Sequence, residues 1–151
     1  MNLTLIKDPF VRPRCQPLLG GKWLWLREDI IYIDKFGNED CLSAGFIFDG
    51  YSAFIFRRKF NRTWNIAYSA LHDYQYASGE DKQLSDRSLV ANMEAGGDIK
   101  LMKPVVYGAV STLGWVPYIR YAYLRKQDPD YMQTRFAVTR YSADRFVERQ
   151  R

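Results

Sequence analysis

The only histidine of the chain, His72, is followed directly by a carboxylate, Asp73. In the helix predicted over this segment, His72 shares a face with Tyr68 and Tyr76, four residues before and after it. An imidazole can act as a general base near neutral pH when an acceptor group holds its second nitrogen in place. His72 is therefore the first candidate catalytic residue, with Asp73 beside it.

Asp86 is the candidate for that acceptor group. It lies at the start of a second predicted helix, and Leu89, Val90 and Met93 follow it by three, four and seven residues. This spacing places Asp86 on the helix face that packs on the core, where an unpaired carboxylate is costly. The sequence therefore predicts a buried partner for Asp86, either His72 or an arginine.

Each of these residues also has a purely structural interpretation. A single histidine on a half-apolar helix face is often a hydrogen-bonded core residue, and Asp86 could stabilise a helix N-terminus through the macrodipole. Asp49 is a further candidate catalytic carboxylate, but it precedes Gly50 between two apolar runs, a pattern that is also typical of a plain turn. Spacing alone leaves both interpretations open.

The amino-acid composition excludes several classes of site. One histidine cannot build a site that needs two imidazole ligands, such as an H-E-x-x-H zinc site. The two cysteines, Cys15 and Cys41, match no zinc spacing and are too few for a disulfide framework. Asp8, Arg12 and Arg14 interrupt the first twenty residues, so we expect no signal peptide.

The net charge of +5 comes from the last third of the chain, because residues 101–151 contain 9 basic and 4 acidic side chains. This excess is modest for a nucleic-acid-binding protein, and we expect a protein partner instead. One candidate is a C-terminal helix that docks on an acidic surface or packs on its own domain. A second basic segment could bind phosphates or a partner, or form a solvated loop. The candidate partner-binding residues are Arg57, Arg58, Arg62, Trp115, Arg135, Arg140 and Arg145.

Residues 104–119 carry no charge. Sixteen residues with two prolines and two glycines are too few to cross a bilayer, which takes about 20 apolar residues in a helix. We expect a buried helix and turn here and no transmembrane span. Because Trp115 and several tyrosines lie beside basic residues, docking of 104–126 on a membrane surface is the alternative.

The predicted organisation has three parts: an extended, proline-rich arm over 1–22, one domain over 23–126, and a basic C-terminal helix over 127–151. Short apolar runs separated by turn residues predict antiparallel strands in the first half. Helical spacing then begins near Thr63, near Ser85, at Pro104, at Tyr118 and at Tyr131. The predicted fold class is α+β, with a small N-terminal antiparallel sheet followed by four to five helices.

An ordered set of short motifs runs through the domain: Phe48-Asp49-Gly50-x-Ser52, Leu71-His72-Asp73-x-x-Tyr76, Ser85-Asp86-Arg87 and Gly108-x-x-x-x-x-Gly114-Trp115. The set resembles a family of uncharacterised proteins of tailed phages and prophages, over about residues 23–115. The chain departs from the family pattern at Phe48, Ala53 and Ser85. The resemblance implies a phage or prophage protein.

A looser resemblance is to the secreted phospholipases A2, which pair a His-Asp on one helix with an aspartate on the next. It implies that His72 is a base, Asp73 a metal ligand and Asp86 the group that orients His72. The chain lacks the glycine-rich calcium loop of those enzymes. Asp49 and Asp73 would supply only two carboxylates, although calcium takes six to eight oxygen ligands.

Two functions are thus predicted. The first is a phage or prophage protein with a buried His/Asp cluster that acts as a hydrolase-like site. The second is a non-catalytic virion component, such as a tail or baseplate protein, that other phage proteins or a host protein hold in place. The location expected from either is the virion or the host cytoplasm.

Overall fold

The computed structural model of the protein describes residues 2–52, 54 and 57–151. Six short strands come first in the chain and helices follow, so the predicted α+β class is confirmed. The strands are β1 (Leu5–Ile6), β2 (Cys15–Pro17), β3 (Leu24–Leu26), β4 (Ile30–Ile33), β5 (Glu39–Leu42) and β6 (Ile47–Phe48). They form two antiparallel sheets rather than one, with strand orders β1-β4-β5 and β2-β3-β6.

Seven α-helices lie within the described residues, more than the four to five expected. They are α1 (Arg57–Thr63), α2 (Ile66–Ser78), α3 (Lys82–Ala95), α4 (Lys103–Leu113), α5 (Trp115–Gln127), α6 (Tyr131–Thr134) and α7 (Arg140–Arg149), and a 3-10 turn at Lys100–Met102 precedes α4. The count rises because α1 was not predicted and because the predicted C-terminal helix over Tyr131–Arg151 is divided into α6 and α7. The strand expected at Phe54–Phe56 lies mostly outside the described residues.

Local signals define the two helices that carry the candidate site. Asn65, not Thr63, is the N-cap of α2, and its side chain accepts a hydrogen bond from the Ala67 N–H. Gly79 ends α2 at a φ of 88°, a left-handed conformation that favours glycine. Asp81 is the N-cap of α3. The helix begins at Lys82, three residues before the predicted start at Ser85. These caps fix α2 and α3 as consecutive helices joined by a short turn.

The predicted N-terminal arm is part of the domain. Its strands β1 and β2 pair with β4 and β3, and the Ile6 N–H donates to Asn92 Oδ1 on α3 at 2.8 Å. The predicted C-terminal helix also packs on its own chain. The buried face of α7, with Phe146 and Val147, contacts the buried Trp23 and Trp25 of the first half. The two terminal segments therefore close over the sheets from both ends.

Candidate active site

Asp86 is the centre of a buried hydrogen-bonded cluster between α2, α3 and α4. Its Oδ1 lies 2.9 Å from His72 Nε2 and also accepts from the Tyr76 hydroxyl, and both of these residues belong to α2. Its Oδ2 accepts from Lys82 Nζ at 2.6 Å. The predicted pairing of Asp86 with His72 is thus present, and Asp86 itself is 1% exposed.

Lys82 is the member of this cluster that sequence reasoning missed. Its side chain is only 4% exposed, and its ammonium group also donates to the carbonyl oxygens of Val110 and Ser111 near the end of α4. The residue stands four positions before Asp86 on the same helix, a spacing that brings opposite charges together. That spacing was a usable signal, but the predicted helix began at Ser85 and left Lys82 outside it.

The cluster keeps Asp86 charged. Burial alone would raise the pKa of this carboxyl, but hydrogen bonds from His72, Lys82 and Tyr76 outweigh burial and lower it below its ordinary value. An ionised carboxylate can only accept hydrogen bonds, so the proton in its contact with the imidazole belongs to His72 Nε2. Nδ1 is then the ring nitrogen that accepts a proton in the neutral imidazole.

A cavity of about 50 Å³ lies beside the histidine, with room for a few water molecules. His72, Asp49 and Asp73 all line it, so the structure brings three of the four predicted site residues to one cavity. Its wall further contains Ser52, Ser69, Tyr76 and Pro117 among other residues. Asp86, the fourth predicted residue, lies behind His72 and acts on the cavity through it.

Asp49 is the carboxyl of the cavity that retains its proton most readily. Burial and the nearby charge of Asp73 raise its pKa to about 7, although Ser52 Oγ donates to Asp49 Oδ2 at 2.9 Å and partly offsets the rise. The side chain is half-buried in the turn between β6 and α1. A group with this pKa can give or take a proton near neutral pH.

Asp73 has a different partner from the one that the phospholipase resemblance implies. Its Oδ2 accepts from the guanidinium of Arg135, and the Arg135 side chain is completely buried. Arg135 also donates to the Ile47 carbonyl from Nε at 2.9 Å and from Nη2 at 2.7 Å, and to the Tyr131 hydroxyl at 3.0 Å. The prediction that Arg135 faces a partner was wrong, because the charge of Asp73 draws it into the core.

This ion pair bears on the calcium arrangement. The Arg135 guanidinium already binds the Asp73 carboxylate, which the resemblance implies to be a metal ligand. Among the residues that the structure describes, no three histidine, cysteine, aspartate or glutamate side chains gather as a metal-binding group. The donor set around Asp49 and Asp73 therefore does not fit calcium.

Gly114 allows α4 and α5 to meet beside the cluster. A Cβ atom at this position would lie 2.4 Å from the Tyr76 hydroxyl and 2.3 Å from the Val110 carbonyl oxygen. The chain must therefore have glycine here for Tyr76 to reach Asp86. The following residue, Trp115, is half exposed, and its ring lies 4.9 Å from Lys82 Nζ.

The other predicted partner-binding residues do not join this cluster. Arg140 and Arg145 lie on the outer face of α7, where they pair with Asp144 and Glu148 of the same helix. Arg58 and Arg62 are exposed on α1, and Arg57 is half-buried there. The arginines of α1 and those of α7 therefore form two surfaces that are separate from the Asp86 cluster.

Comparison with known proteins adds no relative: no protein-family model, curated protein or solved structure matches this chain. Within the described residues, no helix has both the length and the apolar character that crossing a membrane requires. The function is therefore argued from the site itself.

Proposed function

We propose that this is a phage or prophage protein whose His72–Asp86 pair works as a hydrolase-like site. The observation that carries the proposal is the placement of His72. One ring nitrogen lies 2.9 Å from a charged carboxylate, while the side chain lines a cavity that it shares with Asp49. A base held in this way, next to room for water, is the arrangement that general-base hydrolysis needs.

His72 is the proposed base of the reaction and Asp49 is its proposed acid. Nδ1 of His72 removes a proton from a water molecule in the cavity as its oxygen attacks an acyl or phosphoryl group of the substrate. Asp86 stabilises the imidazolium that forms, since its carboxylate is held in the ionised state. Asp49, with a pKa near 7, gives its proton to the departing oxygen.

The test is a rate measurement with 4-nitrophenyl acetate and bis(4-nitrophenyl) phosphate as acyl and phosphoryl probes. We expect H72Q to lose about 100-fold or more of the turnover of at least one probe, since general acid–base catalysis contributes that much. The His72 side chain is 14% exposed, and a thermal melt checks that H72Q still folds. D144N, which changes an exposed carboxylate of α7, is the control. Equal turnover in H72Q and the parent protein would overturn the proposal.

A second candidate function, a non-catalytic virion component, is favoured by one feature of the surface. Val116, Ile119 and Tyr123 follow each other at helical spacing along α5, and they are 74%, 60% and 61% exposed. A line of exposed apolar side chains is typical of a protein interface. On this proposal the Asp86 cluster only fixes how α2, α3 and α4 pack.

Co-sedimentation separates the two candidates. A virion component should band with purified particles at a fixed ratio, and V116D/I119D should release it while the variant still folds. Particles that are fully infectious without the protein would rule out the structural role. The hydrolase proposal makes no such demand, because a catalytic protein acts without a fixed ratio to the particle.

A further inference from the structure

Three arginine side chains from distant parts of the sequence line one cleft on the side of the molecule that carries α1. Arg58 and Arg62 stand four residues apart on α1, and Arg12 comes from the loop before β2. The cleft has a volume of about 510 Å³, within the range of sites that bind small molecules. This cleft does not include any residue of the His72 cavity.

The cleft is lined by positive charge. Among the described residues that line it, none is a carboxylate. Within the same described part of the chain, none of the three arginines forms an ion pair. Three like charges that converge without a counter-charge repel one another, and a bound anion would relieve that repulsion.

The cleft is also partly ordered in advance. Arg12 Nη2 donates to the Thr63 carbonyl oxygen at 2.6 Å, and Nη1 lies 3.5 Å from the Arg62 carbonyl oxygen, both at the C-terminal end of α1. These contacts anchor one guanidinium, and the helix fixes the spacing of the other two. Guanidinium groups match phosphate oxygens with paired hydrogen bonds, which a point charge such as lysine cannot do.

The remaining wall of the cleft is mostly apolar, with Asn61 as a polar side chain. Leu24, Trp64 and Ile66 line it together with Pro13 and Pro17. Cys15 also lines it, as a neutral thiol, because burial raises its pKa to about 12. A ligand for this cleft therefore combines a multiply charged anion with an apolar or planar group.

We propose that the cleft formed by Arg12, Arg58 and Arg62 binds a phosphorylated small molecule, with its phosphate on the arginines and its apolar part against Trp64 and Leu24. A phosphate monoester carries about two negative charges at neutral pH, whereas a carboxylate carries one. The phosphate therefore neutralises more of the positive charge of the three arginines. The proposal is independent of the hydrolase proposal, since the two cavities share no residue.

The test is isothermal titration of the full chain with phenyl phosphate and with inorganic pyrophosphate. We expect both to bind, and phenol, which lacks the phosphate, not to bind. R58Q and R62Q should each weaken binding about tenfold, and the double variant should abolish it. K59Q is the matched control, because Lys59 is an exposed cation of the same helix that does not line the cleft. Its affinity should equal that of the parent protein.

Three results would overturn the proposal. The first is that neither phenyl phosphate nor pyrophosphate binds. The second is an equal loss of affinity in K59Q, which would mark the binding as non-specific attraction to net charge. The third is binding only to phosphatidic acid vesicles or to a single-stranded oligonucleotide, with the soluble probes inactive, since the phosphate would then belong to a lipid surface or to a nucleic acid.

Discussion

At the scale of single residues, the candidate site depends on charged side chains that are buried next to each other. Asp86 and Lys82 neutralise each other at a distance of 2.6 Å, with almost no exposure of either side chain. A buried pair of this kind is weak evidence for net stability, but the removal of one partner leaves the other charge unpaired and desolvated. A single substitution in the pair should therefore change the free energy of unfolding by more than the net contribution of the pair to stability.

The substitution D86N should destabilise the protein by about 3–5 kcal/mol, because the ammonium group of Lys82 loses its buried counter-ion. Denaturant unfolding followed by circular dichroism measures the change. D144N, which affects an exposed pair on α7, should cost no more than about 0.5 kcal/mol. A similar cost for both variants would mean that Lys82 finds another partner in the folded protein.

The raised pKa of Asp49 makes the stability of the folded protein depend on pH. Its pKa is raised from 3.8 to about 7 in the folded state, so between these values the folded protein holds a proton that the unfolded chain releases. Rising pH therefore favours unfolding over this window, and the contribution is constant above pH 7. D49N removes the titrating group, so the stability of the parent protein relative to D49N should fall from pH 4 to pH 7. Parallel stability curves for the two proteins would contradict the raised pKa.

At the scale of elements, the junction of α4 and α5 controls the site. G114A should destabilise the protein by about 1–3 kcal/mol, since the added methyl group meets the Tyr76 hydroxyl and the Val110 carbonyl oxygen. G108A is the matched control within α4: nothing lies within 4 Å of its added Cβ, and alanine is the better helix former. We expect G108A to be more stable than the parent protein. Thermal melts of both variants decide this, and a neutral G114A would show that Tyr76 can move away freely.

Much of the site was predictable because it depends on periodicity within helices. The spacing of Leu89, Val90 and Met93 was enough to place Asp86 on the inner face of α3 and to predict a buried partner for it. Lys82 was not predicted, because the position of a helix start depends on its cap, and Asp81 is a less distinctive signal than a run of apolar residues. The partner of Asp73 was also unpredictable, since Arg135 lies 62 residues away and no local pattern links the two.

The same distinction holds for the fold. The strands β3, β4 and β6 and most helices follow from local composition, and the α+β class followed from them. The strands β1 and β2 were not predicted, because they lie in the segment expected to be an extended arm. The division into two sheets did not, because it depends on which strands pair across long stretches of chain, such as β1 with β4 and β3 with β6. The packing of α7 on the chain's own tryptophans likewise follows from tertiary contacts.

At the scale of the whole molecule, Arg135 joins the helices to the second sheet. The Ile47 N–H donates to the Arg135 carbonyl oxygen at 2.7 Å, while the Arg135 side chain donates back to the Ile47 carbonyl and to Asp73 on α2. R135M should cost about 3–5 kcal/mol because it leaves Asp73 buried without a counter-ion. R140M, an exposed arginine on α7, should change stability by no more than about 0.5 kcal/mol. Equal urea midpoints for the two variants would contradict this role.

Because these links cross between the sheets and the helices, we expect the molecule to unfold as one unit. In a variant with W64F and W115F, tryptophan fluorescence reports on the cluster that holds Trp23 and Trp25, and far-ultraviolet circular dichroism reports on the helices. Their denaturation midpoints should coincide in urea. Two separated midpoints would show that the second sheet and α7 form an independent unit.

The bond between Ile47 and Arg135 also has a consequence for biosynthesis. The two residues are 88 positions apart, so the ribosome adds Arg135 roughly 4–18 s after Ile47 at ordinary elongation rates. For most of that interval the nascent chain contains Asp73 and the β6 strand but not the guanidinium that neutralises one and holds the other. Asp73 and β6 thus lack their Arg135 contacts for several seconds at each round of translation, and a chaperone that binds nascent chains would meet them in this state.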